Sequence, residues 1–212
     1  MKKIEFNSEK DWFNSRGIGG TTASAIMGQS PYKTANDVYN ELVYGKEPQE
    51  DNEVFERGRI LEPLIRNLFA FKNPNLKITE PPKYNWIFVD DEEPRLTGSL
   101  DGIIEDENGE LGVLEIKTRQ GSMEEWENDF IPQNYYIQVL HYLMITKYKY
   151  AYIVCLYCNY DLDNFKLITK KITYEEHKAD IEKLRKSELS FLKLVDKRIR
   201  PKATIELPTK II

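Results

Sequence analysis

The sequence contains few of the residues on which disulfide-rich, zinc-binding and membrane-spanning proteins depend. It has two cysteines and two histidines among 212 residues. No apolar run approaches the ~18 residues that a membrane-spanning helix needs. The amino-terminal segment MKKIEFNSEKDW contains no apolar stretch of the kind found in secretory signals. We therefore expect a cytoplasmic protein that has no membrane partner.

The two cysteines, Cys155 and Cys158, have the C-x-x-C spacing of a redox pair or of half a metal site. The surrounding run, YAYIVCLYCNY, has the composition of a buried strand, on which positions three apart face opposite sides. Two thiols cannot supply the four ligands of an iron–sulfur cluster, and cytosolic disulfides are rare. We interpret both cysteines as core residues.

The chain has no excess of basic residues. It has 30 Lys and Arg against 35 Asp and Glu, a net charge of −5. This balance argues against a protein coated in positive charge to hold nucleic acid non-specifically. It does not exclude a nuclease, because catalytic carboxylates are neutralised by bound metal and a basic groove can be local.

Hydrophobic periodicity and capping residues predict an α/β protein in a single layered domain. A helical amino-terminal part occupies residues 1–52, the core occupies 53–200 and a short tail occupies 201–212. Strands are predicted at about 84–90, 96–105, 111–118, 150–158 and 165–172, with a crossover helix at 132–147 and a long helix at 173–198. The pair Thr173 and Glu176 has capping-box spacing and should open that long helix.

Two acids and a lysine are the most informative residues in the segment LTGSLDGIIEDENGELGVLEIKT. On an extended strand Glu115 and Lys117 point the same way, while Leu114 and Ile116 point into a core. With Asp101 from the neighbouring strand they would form a small acidic pocket with a lysine at its rim. Such a pocket suits a hard divalent cation and metal-assisted phosphodiester cleavage. The simpler interpretation is a solvated face or a cross-strand ion pair.

The Asn-Gly dipeptide at 108–109 predicts a hairpin, and the length of its turn decides whether the acids meet. A two-residue turn would set Asp101 opposite Ile116, so that Asp101 and Glu115 would face opposite sides of the sheet. Shared metal binding needs an offset of one residue. We therefore predict a three-residue turn, or a bulge near Gly102.

Five short segments follow one another in a distinctive order. They are WFNSRGIGGTTAS (12–24), RGRILEP (57–63), GSLDG (98–102), LEIK (114–117) and QVLHY (138–142). This order resembles the PD-(D/E)xK nuclease superfamily and, more narrowly, the phage lambda exonuclease and YqaJ-like viral recombinase nucleases. The resemblance implies a restriction-endonuclease-like core, a central mixed β-sheet flanked by helices, with an N-terminal helical region. Leu100 replaces the usual proline, and Thr21-Thr22 stands where the family often has Ser-Asp, which leaves the exact phosphate-binding residues open.

The resemblance implies that the acidic pocket binds Mg²⁺, with Mn²⁺ as an alternative. One or two ions would be held by Asp101, Glu115, the Ile116 carbonyl and Glu62, the last from a helix. Paired metals can activate a water and stabilise the leaving oxygen. Lys117 would stabilise charge on the phosphate rather than act as a base, because its acidic neighbours oppose the lowered pKa that a basic lysine needs.

The same resemblance implies roles for two residues of the crossover helix and for a phosphate pocket. Gln138 would hydrogen-bond the water, the lysine or the substrate, and Tyr142 would brace the helix that carries both. Arg16, Ser24 and Ser99 would form a pocket for a terminal 5′ phosphate. Arginine suits this task because its donors fork and remain charged.

The remaining aromatic and imidazole side chains are less informative. Trp12 lies one helical turn before Arg16, and it either stacks near the DNA end or anchors its own helix. His141 and His177 have no partners at metal-ligand spacing, so we assign them no role.

The resemblance implies a Mg²⁺-dependent exonuclease that digests one strand of double-stranded DNA in the 5′ to 3′ direction from 5′-phosphorylated ends, in phage-type recombination. It also implies a single-strand annealing partner and a phage or prophage origin in a bacterial host. Relatives form rings, so a homo-oligomer such as a trimer is a further expectation. Two alternatives stay open: a PD-(D/E)xK nuclease that cuts internally or on single strands, and a non-cleaving DNA-binding module of the same fold.

Overall fold

The computed structural model of the chain describes residues 1–46, 53–121, 126, 130–158 and 164–202. The predicted boundary at residue 52 and most of the predicted tail, 203–212, lie outside the described residues. Within the described ranges, no helix is both long enough and apolar enough to cross a lipid bilayer.

The described residues form helices and strands in a mixed order. The helices are α1 (Glu9–Asn14), α2 (Gly20–Ile26), α3 (Ala35–Tyr44), α4 (Glu53–Lys72), α5 (Gln133–Thr146) and α6 (Lys178–Asp196). The strands are β1 (Lys2–Ile4), β2 (Lys77–Thr79), β3 (Ile87–Val89), β4 (Thr97–Gly98), β5 (Gly102–Glu105), β6 (Leu111–Gln120), β7 (Tyr150–Cys158) and β8 (Phe165–Thr173).

Five strands form a mixed sheet in the order β2-β5-β6-β7-β8, in which β6 and β7 are parallel and the other neighbours antiparallel. Helix α5 connects the two parallel strands, which need such a crossover. Strands β1, β3 and β4 form a second, antiparallel sheet. Helices α4 and α5 pack against opposite faces of the larger sheet. The predicted fold class, a central mixed sheet flanked by helices, is confirmed.

Strand β6 contributes to two apolar cores because its successive side chains point to opposite faces. Leu114 and Ile116 pack with Ile65 and Phe69 of α4. Val113 belongs instead to the larger core, which also contains much of α5. The next residue on that second face of β6 is a glutamate, so the alternation carries an acidic side chain towards α5.

The two cysteines of β7 are structural. Cys155 and Cys158 are buried and neither forms a disulfide. Burial raises the pKa of the Cys155 thiol to about 12, which suppresses the reactive thiolate. The prediction that both are core residues is confirmed.

The strand predicted at 96–105 is divided between the two sheets. Strand β4 pairs with β3, whereas β5 pairs with β2 and β6, so the chain changes sheets at residues 99–101. Leu100 is fully buried within this crossing. Asp101 therefore lies just before β5 rather than within a strand, and Ser99 lies just after β4.

The last helix starts later than its sequence pattern predicts. Thr173 is the final residue of β8, paired with Tyr150 of β7. Its hydroxyl donates to the Glu176 carboxylate and accepts from the Glu176 amide, as in a capping box. This pair closes a turn, and α6 begins at Lys178.

The hairpin between β5 and β6 has the offset that shared metal binding requires. Its register pairs Gly102 with Leu114 and Glu105 with Leu111. The Asp106 amide donates to the Glu110 carbonyl at 3.0 Å, leaving a loop of three residues, 107–109. The last loop residue is a glycine with φ of +75°, the left-handed position of such loops. The predicted three-residue turn is confirmed.

A pair of glycine substitutions tests this loop geometry. Gly109→Ala should destabilise the protein by about 1 kcal/mol, because an alanine is strained at positive φ, although nothing lies within 4 Å of an added Cβ there. Gly58→Ala is the matched control inside α4, where the nearest atom would be 4.0 Å away. It should stabilise by about 0.5–1 kcal/mol. Equal effects of the two variants in urea unfolding would contradict the assigned loop.

Candidate active site

The offset of the hairpin brings two carboxyl groups together at the start of β5. Continuing the register by one residue places Asp101 opposite Glu115 of β6, and residues directly opposite on antiparallel strands share a face. The Asp101 carboxylate accepts a hydrogen bond of 2.7 Å from the Ile116 amide, beyond the last β5–β6 pair. The carboxylate therefore holds the backbone where the β5 ladder ends.

Glu115 is almost completely enclosed, with 2% of its side chain exposed. Its Oε1 accepts from the Gln138 amide at 2.7 Å and pairs with the Lys117 ammonium at 2.6 Å. Its Oε2 is buried and has no hydrogen-bond partner. Burying an ionised carboxylate with one oxygen that accepts no hydrogen bond costs free energy, unless another group or ion binds that oxygen.

Lys117 follows two residues later on the same face, with 20% of its side chain exposed. Its ammonium lies 5.1 Å from the centre of the Tyr135 ring, and that ring stacks on Trp126. Burial opposes the charge of Lys117, but the carboxylates of Glu115 and Asp101 outweigh it and hold the lysine pKa above its ordinary value. The side chain is a cation at neutral pH.

Helix α5 supplies an amide that connects the carboxylates to its own next turn. The Gln138 amide donates to the Tyr142 hydroxyl at 3.0 Å as well as to Glu115. Both α5 residues are buried. Helix α2 approaches them so closely that a Cβ at Gly20 would lie 2.4 Å from Gln138 Cγ and 3.0 Å from Tyr142 Cζ. Because glycine has no Cβ, it allows α2 to pack closely against this part of α5.

Helix α4 reaches the same region through Glu62 and Arg66. These two side chains form an ion pair one helical turn apart. Arg66 is 4% exposed, and its Nε donates to the Asp101 carbonyl at 2.9 Å. Arg66 therefore ties Glu62 and the Asp101 backbone together. Sequence patterns did not identify Arg66, although its spacing of four from Glu62 indicates that both side chains lie on one face of α4.

Sequence patterns also missed Tyr135, which contacts the Lys117 ammonium through its ring. It lies three residues before Gln138 on α5. This spacing places it near the glutamine on the helix surface, but nothing in the sequence indicates its contact with a lysine of β6.

Three carboxyl groups in this region resist ionisation together. Burial, then the charge of Asp101, raises the pKa of Glu115 to about 8. The same two causes raise the pKa of Glu62 to about 7, against the opposing charge of Arg66. Burial also raises the pKa of Asp101, although the charge of Lys117 opposes the shift. Additional positive charge at this point would relieve the repulsion.

The donor set fits a hard divalent cation. Asp101 and Glu115 converge, and the unpartnered Glu115 Oε2 is an oxygen donor of the type that Mg²⁺ and Mn²⁺ prefer. Within the part of the chain that the structure describes, no group of three or more His, Cys, Asp and Glu side chains is arranged to hold a metal. The carboxylate of Glu62, a third predicted ligand, is paired with Arg66 instead.

The predicted phosphate-binding residues lie on three different segments. The Arg16 guanidinium stacks over the half-buried Trp12 ring, 4.8 Å from its centre. Ser99 is half-buried in the crossing between the sheets. Ser24 is buried in α2, and its hydroxyl donates to the Thr21 carbonyl at 2.7 Å. The structure thus leaves Arg16 accessible but encloses Ser24 within its helix.

The segment that follows Arg16 is fastened to β4. The Gly17 amide donates to the Thr97 hydroxyl at 2.9 Å, and the Thr97 amide donates to the Ile18 carbonyl at 2.8 Å. A Cβ at Gly17 would lie 2.0 Å from the Arg95 carbonyl oxygen. Arg16 and Ser99 are therefore both attached to one short strand.

A family model and a curated protein match this chain. The model of the YqaJ-like viral recombinase domain matches residues 11–149. "Uncharacterized protein YqaJ" of Bacillus subtilis (strain 168) is 28% identical over 196 residues. That match covers 87% of this chain and 55% of the relative, so the chain spans little more than half the length of this curated protein.

Solved structures share the fold at low sequence identity. The alkaline exonuclease LHK-Exo of Laribacter hongkongensis has a TM-score of 0.68 and 17% identity, covering 89% of this chain and 93% of its own. The structure of LHK-Exo in complex with dAMP has a TM-score of 0.70 with the same coverage. A phage-related exonuclease from Haemophilus somnus 129PT has a TM-score of 0.54 and 15% identity, covering 88% and 98%.

The raised carboxyl pKa values predict the pH dependence of stability in the metal-free protein. Glu115 and Glu62 have folded pKa values of about 8 and about 7, above the ordinary 4.5. The folded state therefore binds more protons than the unfolded state in this window, and stability should fall as pH rises from about 5 to 8. Each carboxyl contributes at most ~1.4 kcal/mol per pH unit.

Urea unfolding in EDTA at several pH values measures this slope. Glu115→Gln should flatten the profile between pH 5 and 8, whereas Glu107→Gln, on the exposed hairpin loop, should leave it as in the wild type. A wild-type protein whose stability rises with pH through that window would contradict the assigned electrostatics.

Proposed function

The chain belongs to the YqaJ-like viral recombinase domain family, and on that premise we propose that it is a Mg²⁺-dependent exonuclease. It digests one strand of double-stranded DNA in the 5′ to 3′ direction from 5′-phosphorylated ends. The proposal rests on the convergence of Asp101 and Glu115. Glu115 pairs with Lys117 through one carboxylate oxygen, and its other oxygen, Oε2, has no hydrogen-bond partner. The exonucleases of similar fold support the proposal.

Asp101, Glu115 and the Ile116 carbonyl would hold the divalent cation, with Glu62 joining them from α4. The cation would supply a lowered pKa for a bound water and stabilisation of charge on the leaving oxygen. Arg66 supports this set, because it contacts both Glu62 and the Asp101 carbonyl. A bound cation would lower the raised pKa values of these carboxyl groups, because its charge stabilises their ionised forms.

Lys117 serves as a fixed positive charge beside the scissile phosphate. Its carboxylate neighbours keep it protonated, so it stabilises the charge that develops on the phosphate oxygens and does not remove a proton from water. Gln138 orients the Glu115 carboxylate through its amide and is itself held by Tyr142. These contacts fix the carboxylate and the ammonium before the substrate arrives.

The 5′-terminal phosphate is recognised by Arg16 with Ser99. The guanidinium presents forked donors that match phosphate oxygens, and its stacking on Trp12 restricts its orientation. Both residues adjoin the segment fastened to β4, which leads through residues 99–101 to the catalytic carboxylates. One short segment, from β4 to Asp101, therefore connects the residues that recognise the DNA end to the carboxylates that support cleavage.

The remaining expectations from the family concern partners. We propose that the product, a 3′ single-stranded overhang, is passed to a single-strand annealing protein in phage-type recombination. We further propose a homo-oligomer, such as a ring of three subunits around the DNA. The match to the curated relative covers 55% of that relative's length, so both remain proposals.

A comparison of DNA substrates tests the proposed function. Linear duplex with 5′ phosphates should be degraded in Mg²⁺, linear duplex with 5′ hydroxyls more slowly, and covalently closed circles not at all. Labelling each end separately gives the polarity. Cutting of closed circles would indicate an internal nuclease, and binding without any cutting in Mg²⁺ or Mn²⁺ would indicate a non-cleaving module.

Substitution of the lysine separates binding from catalysis. Lys117→Ala should reduce the cleavage rate at least ~100-fold, because it removes preorganised charge beside the reacting phosphate. DNA affinity should change less than about threefold, because the cation ligands and the Arg16 pocket remain. Lys186→Ala, on the exposed face of α6, is the control. Parallel loss of affinity and rate in Lys117→Ala would oppose the assigned role.

Substitution of the arginine tests end recognition. Arg16→Ala should lower the preference for 5′-phosphorylated over 5′-hydroxyl ends at least about tenfold, because a charge-assisted contact of roughly 1.5–3 kcal/mol is lost. The rate on hydroxyl ends should change little. Arg200→Ala, an exposed arginine after α6, should keep the wild-type preference. An unaltered preference in Arg16→Ala would move the phosphate pocket elsewhere.

A further inference from the structure

His141 is a fully buried imidazole next to the candidate site to which the sequence assigned no role. It lies on α5, between residues that face the carboxylates, and is 0% exposed. Its Nδ1 is 2.7 Å from an oxygen of Glu188 of α6, which is also 0% exposed. Its Nε2 is 3.0 Å from the Thr97 carbonyl oxygen of β4. The ring therefore joins three separate elements.

The two contacts determine the protons on the ring. A carbonyl oxygen can only accept, so Nε2 must donate to Thr97. Nδ1 faces a carboxylate, which favours a second proton there. Burial opposes the charge of the imidazolium, but the Glu188 carboxylate outweighs it and raises the pKa of His141. An imidazolium donates to both neighbours at once, to one oxygen of Glu188 and to the Thr97 carbonyl, and it binds that carbonyl more strongly than a neutral ring would.

Thr97 is also the residue that fastens the segment after Arg16. Its hydroxyl accepts from the Gly17 amide, and its own amide donates to the Ile18 carbonyl. Ser99 follows it by two residues. The hydroxyl, amide and carbonyl of Thr97 thus each form a hydrogen bond with a different residue. The contact of the carbonyl with His141 is the one that connects β4 to α5.

We propose that His141 is a positioning residue that fixes β4 against α5 and thereby sets the place of Arg16 and Ser99 relative to Gln138. This inference rests on the proposed function, because it assigns the effect to recognition of the 5′ phosphate. A purely structural role would need only bulk at this position. A buried ion pair is often replaced by apolar side chains without loss of stability, so the fold and the positioning can be separated by substitution.

The test uses a double variant that keeps the volume and removes the donor. His141→Phe with Glu188→Met replaces the buried pair by apolar side chains and leaves no unpaired charge. Glu188→Gln is the conservative variant, because its amide donates to Nδ1 of a neutral ring that still donates from Nε2 to Thr97. Thermal unfolding shows that each variant is folded, and a variant that does not fold is replaced by His141→Leu with Glu188→Leu.

Two measurements are made on the folded variants. In Mg²⁺, the double variant should raise the KM for 5′-phosphorylated duplex about tenfold, with kcat and the KM for 5′-hydroxyl duplex within about twofold of wild type. The single variant Glu188→Gln should keep the wild-type KM for 5′-phosphorylated duplex. Amide hydrogen exchange, which needs no cleavage, should speed up at Gly17 and at residues 97–99 in the double variant and not in Glu188→Gln.

The outcomes separate the two claims. If the wild-type protein does not cleave DNA, the proposed function is wrong. Faster amide exchange at Gly17 in the double variant would still support positioning by His141. Unchanged exchange at Gly17 and residues 97–99 overturns the positioning role. A fall in kcat with an unchanged KM for phosphorylated ends overturns the assignment to phosphate recognition.

Discussion

The offset of β5 against β6 is the constraint on which the candidate site depends. A loop of three residues brings Asp101 level with Glu115, whereas a loop of two would turn their side chains to opposite faces. Packing enforces this register, because a slip of one residue on β6 would exchange the apolar face under α4 for the face that carries Glu115. The same alternation that builds the core therefore delivers the acid to the site.

The electrostatics of the site follow from this convergence. Two of the three carboxylates are paired with a cation on their own element: Glu115 with Lys117 two residues later, and Glu62 with Arg66 one turn later. The compensation is incomplete, because Glu115 Oε2 keeps no partner and the pKa values of the acids remain high. Strongly perturbed pKa values are concentrated at functional sites. The crowding of three acids whose ionised forms repel one another is the chemical reason to expect a cation there.

The fold class and the hairpin loop could be predicted from the sequence because they depend on local periodicity and turn residues. The change of sheets at 99–101 could not, since the alternation continues through it and only tertiary pairing decides the partner strand. Arg66 and Tyr135 were missed for a similar reason. One reaches the Asp101 carbonyl and the other the Lys117 ammonium, and both contacts join elements far apart in the chain.

Anomalous diffraction from crystals soaked in Mn²⁺ would show whether Asp101 and Glu115 share one cation. We expect a peak roughly 2.0–2.3 Å from oxygens of both side chains, including the buried Glu115 Oε2, as is typical of hard cations with oxygen ligands. No peak between these two side chains in a crystal that binds Mn²⁺ elsewhere would contradict this expectation.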